Sequence, residues 1–196
     1  MRPSHSGGTG MKETRCWKKT AQRFRVPVGT VLGVVFLVFM HPSVRSLWIG
    51  GAIAVAGGLW RLWAAGYIEK GRVLAQGGPY ALSRNPLYLG SFVMALGVIL
   101  AGQGYWLLPL FLAFFLVFYL PVMRAEEGDL YRAHGERFLG YARRVPLFFP
   151  RWSGSRGDGS AFLWSRVVQN REHRNSASLL LVLAILVGRL LLERYL

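Results

Sequence analysis

The chain of 196 residues has one cysteine, Cys16, and only 9 acidic side chains against 24 Lys and Arg. A lone cysteine excludes an intrachain disulfide framework, cysteine-rich zinc sites and a thioredoxin-type pair. The histidines His5, His41, His134 and His173 are scattered without HExxH or similar ligand spacing, so no histidine-built metal site is expected. No GxGxxG falls between a strand and a helix, and GxxxxGKS, GxxxxGKT and GxSxG are missing, which leaves soluble Rossmann and Walker nucleotide sites unsupported. Charged residues make up only 17% of the chain, against roughly a quarter in soluble domains. What is abundant is apolar: 53% of residues are hydrophobic and mean hydropathy is +0.31, yet the net charge is +15. That combination fits a nucleic-acid binder or a membrane protein with basic internal loops. The apolar residues decide for the membrane, because they are gathered into runs.

Residues 1–25 are polar and basic, and Val26–Met40 follows without a charge. The next residues, His41-Pro42-Ser43-Val44-Arg45, offer no small-x-small cleavage site, so this run reads as an uncleaved anchor. Leu47–Ile68 is interrupted only by Arg61, and Leu87–Gln103 and Tyr105–Met123 are separated by Gly104. Ser178–Leu192 is apolar apart from Arg189 and short for a crossing. A hydrocarbon core about 30 Å thick takes about 20 helical residues, and helices satisfy the backbone within lipid. The expected fold is all-α: a polytopic integral membrane protein of four to five transmembrane helices. Its expected parts are a basic tail (1–25), a membrane domain (26–152), an interfacial linker (153–177) and a C-terminal apolar helix (178–196).

If each run crosses, the basic tail, the loop holding Lys70, Arg72 and Arg84, and the Arg-rich stretch 124–177, with Arg156 in it, share one side. The positive-inside rule makes that side cytoplasmic, N-terminus included, as in a bacterial inner membrane or its equivalent. The basic loops thereby account for the net charge, and nucleic acid is not expected as a partner. Arg61, between Trp60 and Trp63, is expected to snorkel toward the interface. The alternative is an inward role in a polar cavity. Residues Ala161–Val168 read as a helix lying in the headgroup plane.

Chemistry is expected where two polar clusters meet. Gly77-Gly78-Pro79 is a turn signal, and Asn85-Pro86 is a helix start with Asn at the cap and Pro at the first helical position. The helix start, Arg84 and Tyr88 together suit a carboxylate or phosphate; a capped helix with an Arg facing lipid phosphate is the plainer alternative. The second cluster, Arg124-Ala125-Glu126-Glu127, follows the fourth run. The third and fourth runs have similar lengths and a tight connection, so they form a hairpin that returns Glu126 and Glu127 to the depth of Asn85 and Tyr88. Pro121 is expected to kink the returning helix and open a cavity. Glu127, Tyr131, His134, Phe138 and Tyr141 recur at helical spacing, and packing on the hairpin is favoured over roofing the site.

Gly78-Pro79-Tyr80, Arg84-Asn85-Pro86-Leu87-Tyr88-Leu89-Gly90, Glu126-Glu127, Leu130, Gly135, Tyr141, Val145-Pro146 and Pro150 together resemble the isoprenylcysteine carboxyl methyltransferase family, whose relatives include membrane phospholipid methyltransferases. The resemblance spans roughly residues 45–150. It implies an S-adenosylmethionine cofactor lined by Tyr80, Asn85, Pro86, Leu87, Tyr88 and Glu126, with the stretch Arg72–Ala75 beside it. It makes Arg84 and Arg124 candidates for orienting an anionic group. The chain departs from the family pattern at Asn85 (usually His), His134 (usually Phe) and Phe138 (usually Tyr). Asn hydrogen-bonds but carries no charge and shuttles no proton.

The implied partners are the bilayer and a lipid-like or lipidated acceptor. A carboxylate acceptor is ionised at neutral pH and needs no base. An amine would need one, for which Glu126 and Glu127 are the local options, so Glu127 joins Arg84 and Arg124 as a candidate catalytic residue. The competing expectations are an NADPH-dependent membrane reductase of similar fold and a catalytically silent binding or scaffold protein.

Overall fold

The computed structural model describes the backbone over residues 8–69, 73–152 and 160–195, with side chains from residue 23 onward except 25. Lys70, Arg72, Arg156 and parts of the basic tail and the 153–177 linker lie outside the described residues. Seven α-helices follow one another there: α1 (Gly8–Phe39), α2 (Val44–Ala65), α3 (Pro86–Ala101), α4 (Leu108–His134), α5 (Glu136–Arg144), α6 (Trp164–Gln169) and α7 (Glu172–Tyr195). Short 3-10 turns occupy Gly78–Ala81 and Tyr105–Leu107. Val44–Ala65, Tyr105–His134 and Glu172–Tyr195 are long and apolar enough to cross a membrane, and Val26–Phe39 and Pro86–Ala101 are shorter apolar helices. The protein is an all-helical, polytopic membrane protein.

Three boundaries differ from the sequence reading. The last run begins at Glu172, not Ser178, giving a helix of 24 residues that packs against α2 and α3. The fourth run continues past Met123 to His134, with Pro121 accommodated inside an unbroken helix. Residues 161–163 are not helical, so the helix expected over Ala161–Val168 is confined to Trp164–Gln169. The Leu163 N–H instead donates to the Gly66 carbonyl at 3.0 Å, tying the segment to the end of α2.

The closest helix pair is α2 with α3, and the reason is side-chain size. A Cβ on Gly57 would meet Met94 N at 2.6 Å, and one on Gly97 would collide with the backbone of Ala54. Gly50 likewise faces the Ala101 backbone. Small residues let membrane helices gain dispersion contacts that lipid cannot supply as well. The contact is pinned at one end by Ser46, whose hydroxyl donates to the Ala101 carbonyl at 2.8 Å.

Between α3 and α4 the spacing is wider, because aromatic rings fill it. Phe92 stacks on Phe111 at 5.4 Å and meets Phe115 edge-on at 4.9 Å; Phe115 stacks on Tyr119 at 4.8 Å. The hairpin is therefore splayed, and α4 lies against α1 as well. Leu59, Leu116, Leu180 and Leu181 point outward and are exposed, as lipid-facing positions should be.

Gly97→Leu should lower stability by about 1–3 kcal/mol, the usual cost of overpacking, while Gly51→Ala, whose Cβ meets nothing within 4 Å, should leave it nearly unchanged. Thermal unfolding in detergent checks the pair; equal effects would show that close α2–α3 contact is not what holds these helices.

Candidate functional site

The loop before α3 is shaped by glycine and then clamped. Gly78 has φ +55, and a Cβ there would run into the Tyr67 ring, so only glycine fits this turn. Tyr80 follows in the 3-10 turn, with its carbonyl accepting from the Tyr141 hydroxyl at 2.7 Å. Ser83 is fully buried; its hydroxyl donates to the Phe148 carbonyl at 2.8 Å and accepts from the Asn85 N–H at 3.2 Å. The Arg84 N–H donates to the Pro146 carbonyl at 2.9 Å, and the Arg151 N–H to the Leu82 carbonyl at 3.0 Å. Residues 82–85 are thus bound along 146–151, which makes the Val-Pro and Pro elements of the motif into a brace for the loop.

Asn85 does occupy the cap position of α3, but its side chain makes no capping bond. The amide nitrogen Nδ2 donates instead to the Leu147 carbonyl at 3.0 Å. The amide is turned toward the brace, and the side chain makes no bond to the N–H groups of the helix start. The task calls for a hydrogen-bond donor, not for charge, so Asn performs it without the ionisable ring usual in the family.

Where the stretch following α2, the start of α3, the end of α4 and α5 converge, a cavity of about 610 Å³ opens. That lies within the 300–1,000 Å³ span typical of small-molecule sites. Tyr80, Arg84, Asn85, Leu87, Tyr88, Glu126 and Glu127 all line it. The two legs of the hairpin meet directly, with the Tyr88 hydroxyl donating to Glu126 Oε1 at 2.9 Å. Arg84 Nη1 pairs with Glu127 Oε1 at 2.7 Å, their side chains only 16% and 21% exposed. Two predicted residues stand elsewhere: Pro86 is fully buried behind the lining, and Arg124 is exposed on the outer side of α4.

The expected stripe from Glu127 to Tyr141 is not on one helix. Gly135, at φ +52, ends α4 and α5 begins at Glu136. All of the stripe except Tyr131 nevertheless lines the cavity, while Phe138 and Tyr141 also pack in a small core with Leu74 and Val145. Roofing and packing are the same contact here. Glu69, Val73, Leu74 and Ala75 complete the wall. Nothing in the spacing singled out Glu69, which sits beyond α2 in an irregular stretch. Arg61 also departs from the snorkelling expectation and turns inward to Glu172.

Two buried donors in this region have no protein acceptor among the described residues, the Tyr80 hydroxyl and Arg84 Nε. Burial raises the Tyr80 phenol well above the ordinary tyrosine range, and the neighbouring Tyr141 adds to the effect. It therefore remains a donor at all working pH values. Around it stand the acids Glu69, Glu126, Glu127 and Asp129.

Fold and cavity together define a helical membrane protein with a chamber lined by residues from both legs of a hairpin. The chain belongs to the phospholipid methyltransferase family, which it matches over residues 29–137. It is 35% identical over 146 residues to the nickel-cobalt-cadmium resistance protein NccN of Alcaligenes xylosoxydans xylosoxydans, covering 70% of this chain and 67% of that protein. It is 33% identical over 171 residues to the cobalt-zinc-cadmium resistance protein CzcN of Cupriavidus metallidurans, covering 81% and 76%. A shorter match, 32% over 78 residues, is to the methanethiol S-methyltransferase of Crocosphaera subtropica, covering 36% of this chain and 27% of that one. No solved structure matches.

Asn85→Leu should destabilise the protein by about 1–3 kcal/mol by depriving the part-buried Leu147 carbonyl of its donor, whereas Asn85→His should retain most of that stability. Unfolding midpoints in detergent distinguish the two; an Asn85→Leu protein as stable as wild type would remove the brace from the account.

Proposed function

We propose that this cavity binds S-adenosylmethionine and that the protein transfers a methyl group to a lipid-like or lipidated carboxylate or amine at the cytoplasmic membrane face. The observation carrying this reading is the 2.9 Å contact of Tyr88 with Glu126 inside one cavity, since it joins the two halves of the family motif. Bound there, S-adenosylmethionine supplies a methyl group on a positive sulfonium, ready for in-line displacement.

The residues present fit such a guest. The Tyr80 hydroxyl and Arg84 Nε are buried donors suited to a carboxylate or hydroxyl, and the acids around them suit a cation. In this reading Tyr80, Asn85, Leu87, Tyr88 and Glu126 hold the cofactor, and Pro86 sets the helix start behind them. Arg84, steadied by Glu127, orients an anionic group. Arg124 acts from outside the cavity, on the exposed side of α4. For an amine acceptor, Glu127 takes the proton before transfer; for a carboxylate no base is required. Apolar lining from Leu74, Leu87 and Phe138 excludes water and holds the reactants together.

The cytoplasmic assignment rests on Arg84, Arg132, Arg137, Arg143, Arg144 and Arg151 around this end of the bundle. Residues 26–152 form the methyltransferase domain in this scheme, with 1–25 as a basic tail, a linker up to α7, and 178–196 as part of a fifth span begun at Glu172. Two relatives carry metal resistance in their names. Among the described residues no group of three His, Cys, Asp or Glu side chains is placed to hold a metal ion.

Calorimetry in nanodiscs should detect S-adenosylmethionine binding at micromolar to submillimolar concentration. Tyr88→Phe and Glu126→Ala should each weaken it by about tenfold, in line with loss of a hydrogen bond to a charged group, while both variants remain folded. Incubation with native lipid extract and methyl-labelled cofactor should yield a labelled lipid. No binding by the folded wild-type protein would defeat the reading.

A further inference from the structure

Helix α7 lies beyond residues 29–137, the part of the chain that matches the family, yet it reaches the cavity wall through a buried ion pair. Arg61, in the last turns of α2, directs Nη2 to Glu172 Oε1 at 2.7 Å and Nε to Oε2 at 3.1 Å. The two side chains are 16% and 6% exposed. This is the two-pronged geometry in which guanidinium and carboxylate bind most strongly. Asn175 Nδ2 donates to Glu172 Oε2 at 3.1 Å, closing the first turns of α7 around the carboxylate.

The remaining nitrogen of Arg61 goes to α3. Nη1 donates to the Leu87 carbonyl at 3.3 Å and to the Ser91 hydroxyl, which itself donates to the Leu87 carbonyl at 3.0 Å. The path is open only because residue 90 is glycine: a Cβ there would collide with Arg61 Cγ. Leu87 lines the cavity, and its neighbour Tyr88 makes the bond to Glu126. A second tie joins the same C-terminal stretch to the cavity wall, where Arg166 Nη2 bonds Glu69 at 3.1 Å.

Buried ion pairs add little net stability over apolar packing, but they fix register, and removing one partner leaves a costly charge. A charged side chain within a membrane helix is retained against an insertion penalty. Packing between α2 and α3 already comes from the glycine contact, so the pair is left with the task of orientation.

We propose that Arg61 is a positioning residue of the cavity. Held by Glu172, it fixes the first turns of α3, and through them Tyr88, at the depth where Tyr88 meets Glu126. The C-terminal helix is thereby part of the site. The consequence for cofactor affinity rests on the function proposed above; the positioning itself does not.

The test is hydrogen exchange by mass spectrometry on the full chain in nanodiscs, comparing Arg61→Met, which keeps the stem at Gly90 but removes charge and donors, with Glu172→Gln and Arg61→Lys. Amides of residues 89–92 should exchange about tenfold faster in Arg61→Met and Glu172→Gln, as expected on losing a bond to a charged group, and 94–101 should keep wild-type protection. Arg61→Lys should fall between, and S-adenosylmethionine affinity should weaken in step while kcat at saturation holds. Unchanged protection at 89–92, or equal loss along α2, α3 and α7, overturns the proposal; should Arg61→Met not fold, Glu172→Gln decides by the same criteria. A wild-type protein that binds no S-adenosylmethionine would defeat the functional reading, and the exchange data would still decide the positioning.

Discussion

Everything at the functional end of the bundle depends on how closely α2 approaches α3. Glycines at 50, 57, 90 and 97 bring two backbones into contact, and lipid, being as apolar as any side chain, would not drive that approach by itself. Once α2 and α3 are joined, α4 cannot pack equally tightly, because Phe92, Phe111 and Phe115 stand between it and α3. One tight contact and one splayed contact in the same bundle leave a gap at the end where the polar residues lie. The cavity is a product of unequal side-chain sizes along three helices.

The polar rim is then organised by hydrogen bonds that reach across long sequence separations. The 82–85 loop is fastened to 146–151, Tyr141 holds the Tyr80 carbonyl, and Tyr88 holds Glu126. These bonds use up most of the local donors and acceptors. Among the described residues here two donors are left over, Tyr80 Oη and Arg84 Nε, and a ligand with acceptor oxygens would satisfy them. Unsatisfied buried groups are costly in folded proteins, and sites are where that cost is recovered on binding.

Much of this was legible from the residues. Long apolar runs, their basic flanks and the return of the third and fourth runs to one depth required only helix geometry and the thickness of a bilayer. That geometry brought Tyr88 and Glu126 to one depth, and the family resemblance singled them out as sharing a site. Other features were invisible for physical reasons. Asn85 carries the composition of a cap, but whether its side chain accepts from the helix start or donates elsewhere depends on residues 62 positions away. The glycine at 135 looks unremarkable inside a helical stripe until a positive φ breaks the helix there. Arg61 beside two tryptophans reads as an interfacial anchor, and only the folded arrangement supplies Glu172, in a stretch whose polar residues hid the true start of α7.

The most direct measurement of the central claim is ultraviolet cross-linking of labelled S-adenosylmethionine to the protein in nanodiscs, followed by peptide mapping. The account predicts label on peptides holding Tyr80 to Tyr88 and on those holding Glu126 to Tyr141, since both border one chamber. Label confined to the opposite end of the bundle, around the smaller cavity at Ser43, Gln103 and Tyr105, would contradict it.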